Sequence, residues 1–330
     1  MNSFDLLRLL SAIAVIFHHD APLAGEPIRR FFSTDFGELG VGVFFVISGY
    51  LVTASWRRAP TLWPFLKKRL LRIEPALVVS LAVTALVLGA AVTSLPLADY
   101  FRTPQVWLYV FRNALRYPVT YELPGVFTHN PLPQTVNGSL WTLRLEFSCY
   151  LGVAALGLAG RLTPRVVAGL ALAAGAAFVV LHIARPDLRS SGLLRLADIA
   201  ALNGFLFLAG AWLNLRDRPV PVWAAGLLAP LLLTPAWIFG LPALVVALGS
   251  LRSIRLPADI SYGLYIYAFP LQQILAAHGR LSFAAAVAAI VPFALASWFL
   301  VEKPALRLKP PPSPDEERDR PKAGRRASPA

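Results

Sequence analysis

Cysteine is almost missing from this chain: Cys149 is the single one in 330 residues. A lone cysteine excludes an internal disulfide framework. Charge is scarce as well, at 15% Asp, Glu, Lys and Arg against 56% hydrophobic residues. With a mean hydropathy of +0.59, that balance excludes an ordinary soluble domain and describes an integral membrane protein. The N-terminus lacks both a basic n-region and a small-residue cleavage site, so no cleavable signal peptide is expected. P-loop, Rossmann and zinc signatures are missing, and there is neither an internal repeat nor a second soluble domain. His129, His182 and His278 have no metal-ligand spacing and read as outer-interface residues, so no metal site is expected. A net charge of +13 raises the question of nucleic acid. The basic residues are scattered between apolar runs instead of forming one surface, which excludes that partner and points to membrane topology. The excess of Ala, Leu and Arg fits a bacterial source and its inner (cytoplasmic) membrane.

What is present begins with the first apolar segment, Phe4 to Pro22, FDLLRLLSAIAVIFHHDAP. Arg8 and His19 are eleven residues apart, which is three helical turns plus roughly 20°, so they share a face about 16 Å apart along the axis. Ser11, Ala12 and Val15 lie between them, and His18 is rotated by about 100°. A charged residue inside a membrane span is expensive unless it faces a protein interior or a wet cavity. Two readings are open: a functional pair, or an arginine that snorkels to the headgroups with histidines at the far interface.

Hydropathy predicts an all-α, polytopic helix bundle of about ten membrane spans, near 5–20, 38–56, 74–95, 139–159, 165–183, 197–214, 220–235, 236–250, 260–277 and 281–301. Pro230, Pro235 and Pro242 interrupt the seventh and eighth, which also read as one kinked or re-entrant pair. With both termini cytoplasmic, 20 basic residues fall inside and nine outside, as the positive-inside rule requires. Discarding the tail leaves 12 against nine, and the inner loop 57–72 is the strongest independent support. Residues 96–138 form one long loop, predicted to be external and to pack over the bundle as a partial lid, with a short amphipathic helix near 104–116. The chain divides into a membrane domain, 1–308, and a charged, Pro-rich cytoplasmic tail, 309–330, predicted to be disordered.

Several constellations can carry chemistry. In GELGVGVFFVISGYLVTASW, Gly37, Gly40, Gly42 and Gly49 permit close helix approach, and the Ser48-Gly49 pair can bend a helix. Arg69 and Arg72 share a face beside Pro75; they set topology, or grip phosphates with their guanidinium forks. In NGSLWTLRLEFSCYLG, Ser139, Thr142, Glu146 and Cys149 or Tyr150 share a face, with Glu146 at membrane depth. A buried carboxylate is protonated or paired, and a histidine is one natural partner. Asn137-Gly138-Ser139 fits the glycosylation pattern, which carries little weight in a bacterial protein. Tyr262, Tyr265 and Tyr267 form an aromatic stripe, and Glu302-Lys303-Pro304 closes the last span, where Glu302 can meet a neighbouring arginine.

Taken in order, these segments resemble the acyltransferase-3 family of membrane O-acyltransferases, the O-antigen and nodulation-factor O-acetyltransferase type. The resemblance rests on Arg8-x10-His19, Gly40 to Leu51, Arg69-x-x-Arg72-x-x-Pro75, Ser139 to Glu146, Ser261 to Pro270 and Glu302 to Pro304. Each motif is weak alone; six in the family order over about 300 residues are specific. Glu74, where the family is commonly apolar, and the doubled histidine depart from the pattern, but spacing and phase favour His19 over His18.

The resemblance implies transfer of an acyl group, commonly acetyl from acetyl-CoA, to a hydroxyl of a cell-surface carbohydrate or glycolipid. The residues fit: a sugar hydroxyl needs a base, and histidine, with an unperturbed pKa of about 6.5, suits that role near neutral pH. A thioester already carries a good leaving group. On this reading His19 is the base, Arg8 holds the donor or stabilises charge, and Glu146 orients His19 or a substrate hydroxyl. Arg69 and Arg72 bind the phosphates of the acyl-CoA co-substrate. A transporter of an acylated or acidic metabolite is the competing class, since proton relays also use His and Glu. Against it stands the lack of repeat symmetry. Acceptor, acyl chain and oligomeric state are not legible.

Overall fold

A computed structural model describes residues 3–184, 192–251 and 256–309. Helix α1 (Phe4–Leu23) leads through a two-residue antiparallel pair, β1 (Arg30–Phe31) and β2 (Thr34–Asp35), into α2 (Phe36–Arg58). Helix α3 (Leu62–Ala82) runs through a π-helical stretch, Val83–Leu88, into α4 (Gly89–Val92), one apolar helix of 31 residues. The long connection holds α5 (Leu97–Arg102) and α6 (Pro104–Leu115). After it come α7 (Leu140–Leu158), α8 (Pro164–Phe178) with a π-helical end, Val179–Ala184, and α9 (Gly192–Leu215). A short pair follows, α10 (Val222–Leu228) with the 3-10 turn Ala229–Leu233, and α11 (Trp237–Gly249). The order closes with α12 (Ser261–Ala277) and α13 (Phe283–Ser297), the latter continuing through Trp298–Glu302 into α14 (Lys303–Leu306).

Among the described residues, six helices are long and apolar enough to cross a membrane: Phe4–Leu23, Phe36–Arg58, Leu62–Val92, Pro164–His182, Gly192–Leu215 and Phe283–Leu306. The protein is an almost entirely helical membrane bundle. Val222–Leu233 and Trp237–Gly249 are apolar but shorter, and α10 packs on α11. Proline removes an N–H from the helical ladder: Pro230 falls where α10 gives way to the 3-10 turn and Pro235 just before α11, whereas α11 runs on through Pro242. Residues 57–72 are not a loop. Leu62 starts α3, so Lys67, Lys68, Arg69 and Arg72 ride on a helix. Of the predicted tail, residues 310–330 lie outside the described residues, as do Arg185, Arg189, Arg252 and Arg255 from the charge count.

Helix α2 is the hub, packed against α1, α7, α9 and α11. A helix apolar on every side belongs in a bundle interior. Two glycines set its closest crossing. A Cβ on Gly49 would overlap the Phe207 carbonyl oxygen, and one on Gly210 would overlap that of Val46. Without hydrophobic drive inside lipid, such small-residue contacts let backbones approach and gain dispersion energy. The packing role expected of Gly49 is therefore realised.

The connection 96–138 contains the expected helix, but the expectation of a purely external loop is corrected. The Tyr100 hydroxyl donates to the Ala85 carbonyl at 2.6 Å, whereas Arg116 pairs with Glu74. Helix α6 thus runs back alongside α3. Glu74 precedes Val92 by 18 residues on one continuous helix, about 27 Å at 1.5 Å per residue. So α6 lies within the depth of the bundle, not above it. Val106 and Tyr109 face inward, while Trp107, Phe111 and Leu115 form an outward stripe one turn apart. The chain then returns through Val136, whose N–H donates to the Tyr121 carbonyl at 2.7 Å. Asn137 is 1% exposed and its amide donates to the Ile266 carbonyl at 3.0 Å, so it has no room for a glycan.

Candidate active site

Two cavities open along α2. The first, about 100 Å³, is lined by Arg8, Ser48, Arg69, Arg72, Glu146 and Tyr150, with Tyr262 and Tyr265 across from them. The second, about 270 Å³, is lined by His18, His19, Asp35, Glu38, Trp141 and Asn203, with Arg195 at its edge. Arg8 and His19 do share the buried side of α1 with Ser11, Ala12 and Val15. The structure nevertheless separates them, one to each cavity. Their eleven-residue spacing places them about 16 Å apart, at different depths.

In the first cavity the arginines differ in how they are balanced. Arg8 donates to Asp5 one turn before it, at 3.0 Å. Arg72 donates to Asp259 at 2.6 Å and lies 3.9 Å from Glu302, the arginine partner expected for that residue. Asp259 also accepts from the Ser261 hydroxyl at 2.7 Å, and Glu302 from the Ser297 hydroxyl at 3.0 Å. Asp259 stands outside the membrane helices. Burial pushes its carboxyl up, but the Arg72 guanidinium overrides that and holds it below the usual carboxylate range. No described carboxylate pairs with Arg69, whose enclosed Nε has no hydrogen-bond partner. Three arginines line this cavity against one carboxylate, Glu146, that is already engaged by two hydroxyls, so the cavity favours an anion.

Glu146 sits at this cavity as predicted, but its partners are hydroxyls. Ser48 Oγ and the Tyr150 hydroxyl each donate to Glu146 Oε1 at 2.5 Å. Tyr150 is one turn along α7, on the face read from the sequence; Ser48 comes from α2, so it both packs and bonds. His19 lines the other cavity, so of the two roles expected of Glu146, orienting His19 or a substrate hydroxyl, the structure does not bring it to His19.

In the second cavity, Asp35 caps α2 by accepting from the Glu38 N–H at 2.8 Å. Its Oδ1 also lies 3.1 Å from His18 Nδ1. Asp35 is outside the helix proper. Burial raises its carboxyl, yet hydrogen bonds from His18 and the Glu38 N–H outweigh this and hold it below the usual range. The His18 ring fills the space over Gly37, where a Cβ would overlap it. Partly buried His19 meets the Phe269 ring edge-on at 5.0 Å, and its enclosed Nδ1 has no described hydrogen-bond partner. His18 thus lies beside a carboxylate, whereas His19 has ring neighbours, His18 and Phe269.

Sequence reasoning passed over Asp35, Glu38 and Asp259. Asp35-x-x-Glu38 directly before an apolar run is a helix-start signal and was there to be used. Nothing in the local sequence marks Asp259 as the partner of Arg72, 187 positions away. Of the other histidines, His129 and His278 are exposed, and His182 Nδ1 lies 3.1 Å from Asp198 Oδ2. Glu74, the departure from the family pattern, is explained by Arg116. That guanidinium is 5% exposed and also lies 4.2 Å over the Phe147 ring, so an acidic residue on α3 balances a buried cation.

A family model described as an acyltransferase domain matches residues 1–302. A protein of Shigella phage Sf6 named O-acetyl transferase is 28% identical over 338 residues, spanning 92% of this chain and 95% of its own. Nodulation protein 10 of Rhizobium leguminosarum bv. viciae is 30% identical over 359 residues, spanning 93% of this chain and 94% of its own. No solved structure matches the chain. With the family match covering almost the whole sequence, the chain belongs to the acyltransferase-3 family of membrane acyltransferases.

Proposed function

We propose that the donor is an acyl-CoA, chiefly acetyl-CoA, and that the acceptor is a hydroxyl of a cell-surface carbohydrate or other glycosylated molecule. The observation that carries this reading is the meeting of two chemically different cavities along α2, one lined by three arginines and the other by His18 and His19. Coenzyme A is an anion with a long neutral arm. Arg69, with no carboxylate of its own, takes a phosphate as a charge-assisted partner, and Arg72 assists from its place beside Asp259. Arg8, in the same cavity, holds the donor along its path.

The thioester then reaches the boundary of the second cavity. His19 takes the proton of the acceptor hydroxyl as its oxygen attacks the thioester carbonyl. The carbon–sulfur bond breaks, the carbon–oxygen ester bond remains, and the leaving thiolate recovers the proton from His19. Glu146 holds the hydroxyls of Ser48 and Tyr150 and so shapes the donor path. The donor enters from the cytoplasm and the acceptor from the opposite side of an inner membrane. In this layout α7, α12 and the two shorter helices bring the spans to ten, with both termini cytoplasmic. A transporter has no comparable observation in its favour.

The test uses purified protein in nanodiscs, wild type beside His19→Ala, with acetyl-CoA and a panel of sugars, following release of free CoA thiol. Acceptor-dependent release that disappears in the variant is the expected result. Full activity in His19→Ala would remove His19 as the base. A wild type that neither binds nor consumes any acyl-CoA would remove the donor assignment.

A further inference from the structure

Among the described residues, only Val41 and Tyr265 line both cavities. They flank the passage where the arginine cavity meets the cavity of His19. Neither is free to retreat. Val41 is 9% exposed, β-branched and therefore stiff at χ1, and it stands on the packed hub helix α2. Tyr265 is 6% exposed, and its hydroxyl is 2.6 Å from Thr142 Oγ1 and 3.3 Å from the Ser139 carbonyl oxygen. The Phe44 ring meets it edge-on at 5.6 Å. A ring fixed at its hydroxyl and along its edge is a rigid wall.

The reacting carbonyl must touch the CoA sulfur on one side and the acceptor oxygen on the other. That places it at the shared boundary, with the acyl chain against Val41 and Tyr265. A two-carbon acyl group ends there, whereas each further methylene has to push into one of two immobile side chains. We infer that Val41 and Tyr265 are the specificity-determining residues that hold this enzyme to acetyl and exclude longer acyl chains. The inference rests on the acyl-CoA reading given above.

The experiment compares kcat/KM for acetyl-, propionyl- and butyryl-CoA in the wild type, Val41→Ala and Tyr265→Phe. One methylene in a fitted pocket changes kcat/KM by about 10- to 200-fold, so wild type should fall at least about tenfold per added carbon. Val41→Ala should raise butyryl relative to acetyl transfer by about tenfold, by opening roughly one methylene of space. Tyr265→Phe keeps the ring but loses both polar contacts at its tip, and should shift the ratio the same way by less. Val52→Ala, a second buried valine of α2 that lines only the arginine cavity, should leave the ratio as in wild type. The ratio within one preparation is independent of how much protein folds, and either variant alone is sufficient. A flat wild-type series, or variants that transfer acetyl with an unchanged ratio, would overturn the inference while leaving the donor reading intact. A wild type that uses no acyl-CoA would instead remove the donor reading beneath it.

Discussion

Ser48 Oγ donates to Glu146 Oε1 at 2.5 Å, and this bond joins α2 to α7 inside the cavity that holds the arginines. Because Tyr150 donates to the same oxygen, Glu146 gathers two hydroxyls at membrane depth. Glu146→Ala strands both, at about 1–3 kcal/mol for each unsatisfied buried group, and should lower the Tm in detergent accordingly. Glu146→Gln keeps a carbonyl acceptor in place and should recover most of that loss. A thermal scan of the three proteins checks it.

The two histidines should separate in kinetics. Loss of a positioned general base typically removes 10²–10⁴-fold in rate, so His19→Ala should lose about that much kcat while still binding acetyl-CoA. His18→Ala should lose less, since its ring is engaged by Asp35. Steady-state turnover beside equilibrium CoA binding distinguishes them, and the reverse ranking would make His18 the base.

Arg69 should act on donor affinity. A hydrogen bond to a charged group is worth about 1.5–3 kcal/mol, so Arg69→Ala should raise the KM for acetyl-CoA by about 10- to 150-fold with little change in kcat. Acetyl-pantetheine, which lacks the nucleotide phosphates, should be used equally by both proteins; a matching penalty on it would place Arg69 elsewhere.

Asp259 gives a pH dependence with a definite sign. Its folded-state carboxyl is held below the ordinary value of about 4 by Arg72. The stabilisation is therefore complete above that ordinary value and is lost as pH falls through the lowered one. Wild-type Tm should drop on acidification from about pH 7 to about pH 3, and Asp259→Asn should start lower and drop less.

The Arg116–Glu74 pair anchors the end of α6 to α3. Removing one partner of a buried pair costs about 3–5 kcal/mol, because the other charge is left uncompensated. Glu74→Leu should therefore destabilise strongly. Arg116→Asn, a residue that tolerates the positive φ of 63° at this position, should rescue it in the double variant. Chemical denaturation of the four proteins gives the coupling; additive losses would show that the pair is not the anchor.

Sequence patterning was a good guide wherever the signal repeats within one helix. Apolar runs located the six long helices, although α3 starts at Leu62, twelve residues before the predicted span; the helical phase of Arg8 and His19 put both on the buried side of α1, and the phase of α7 left Cys149 or Tyr150 beside Glu146, of which the structure takes Tyr150. It failed where polarity and depth part company. The aromatic, proline-rich stretch after Leu95 reads as a surface loop, yet α6 descends beside α3 because its buried arginine has a carboxylate to meet there.

By itself the sequence determined a helical membrane protein and its family. Those properties follow from hydropathy and from motifs within a few turns, where helix geometry fixes which side chains share a face. Tertiary structure alone decided that Arg8 and His19 serve different cavities, that Arg72 is balanced by Asp259 at a separation of 187 residues, and that Ser48 reaches Glu146 across 98. It also decided that Val41 and Tyr265 line both cavities. A helical period says which way a residue points on its own helix. What it points at depends on how the other helices pack, and that is settled by close contacts such as Gly49 against Phe207.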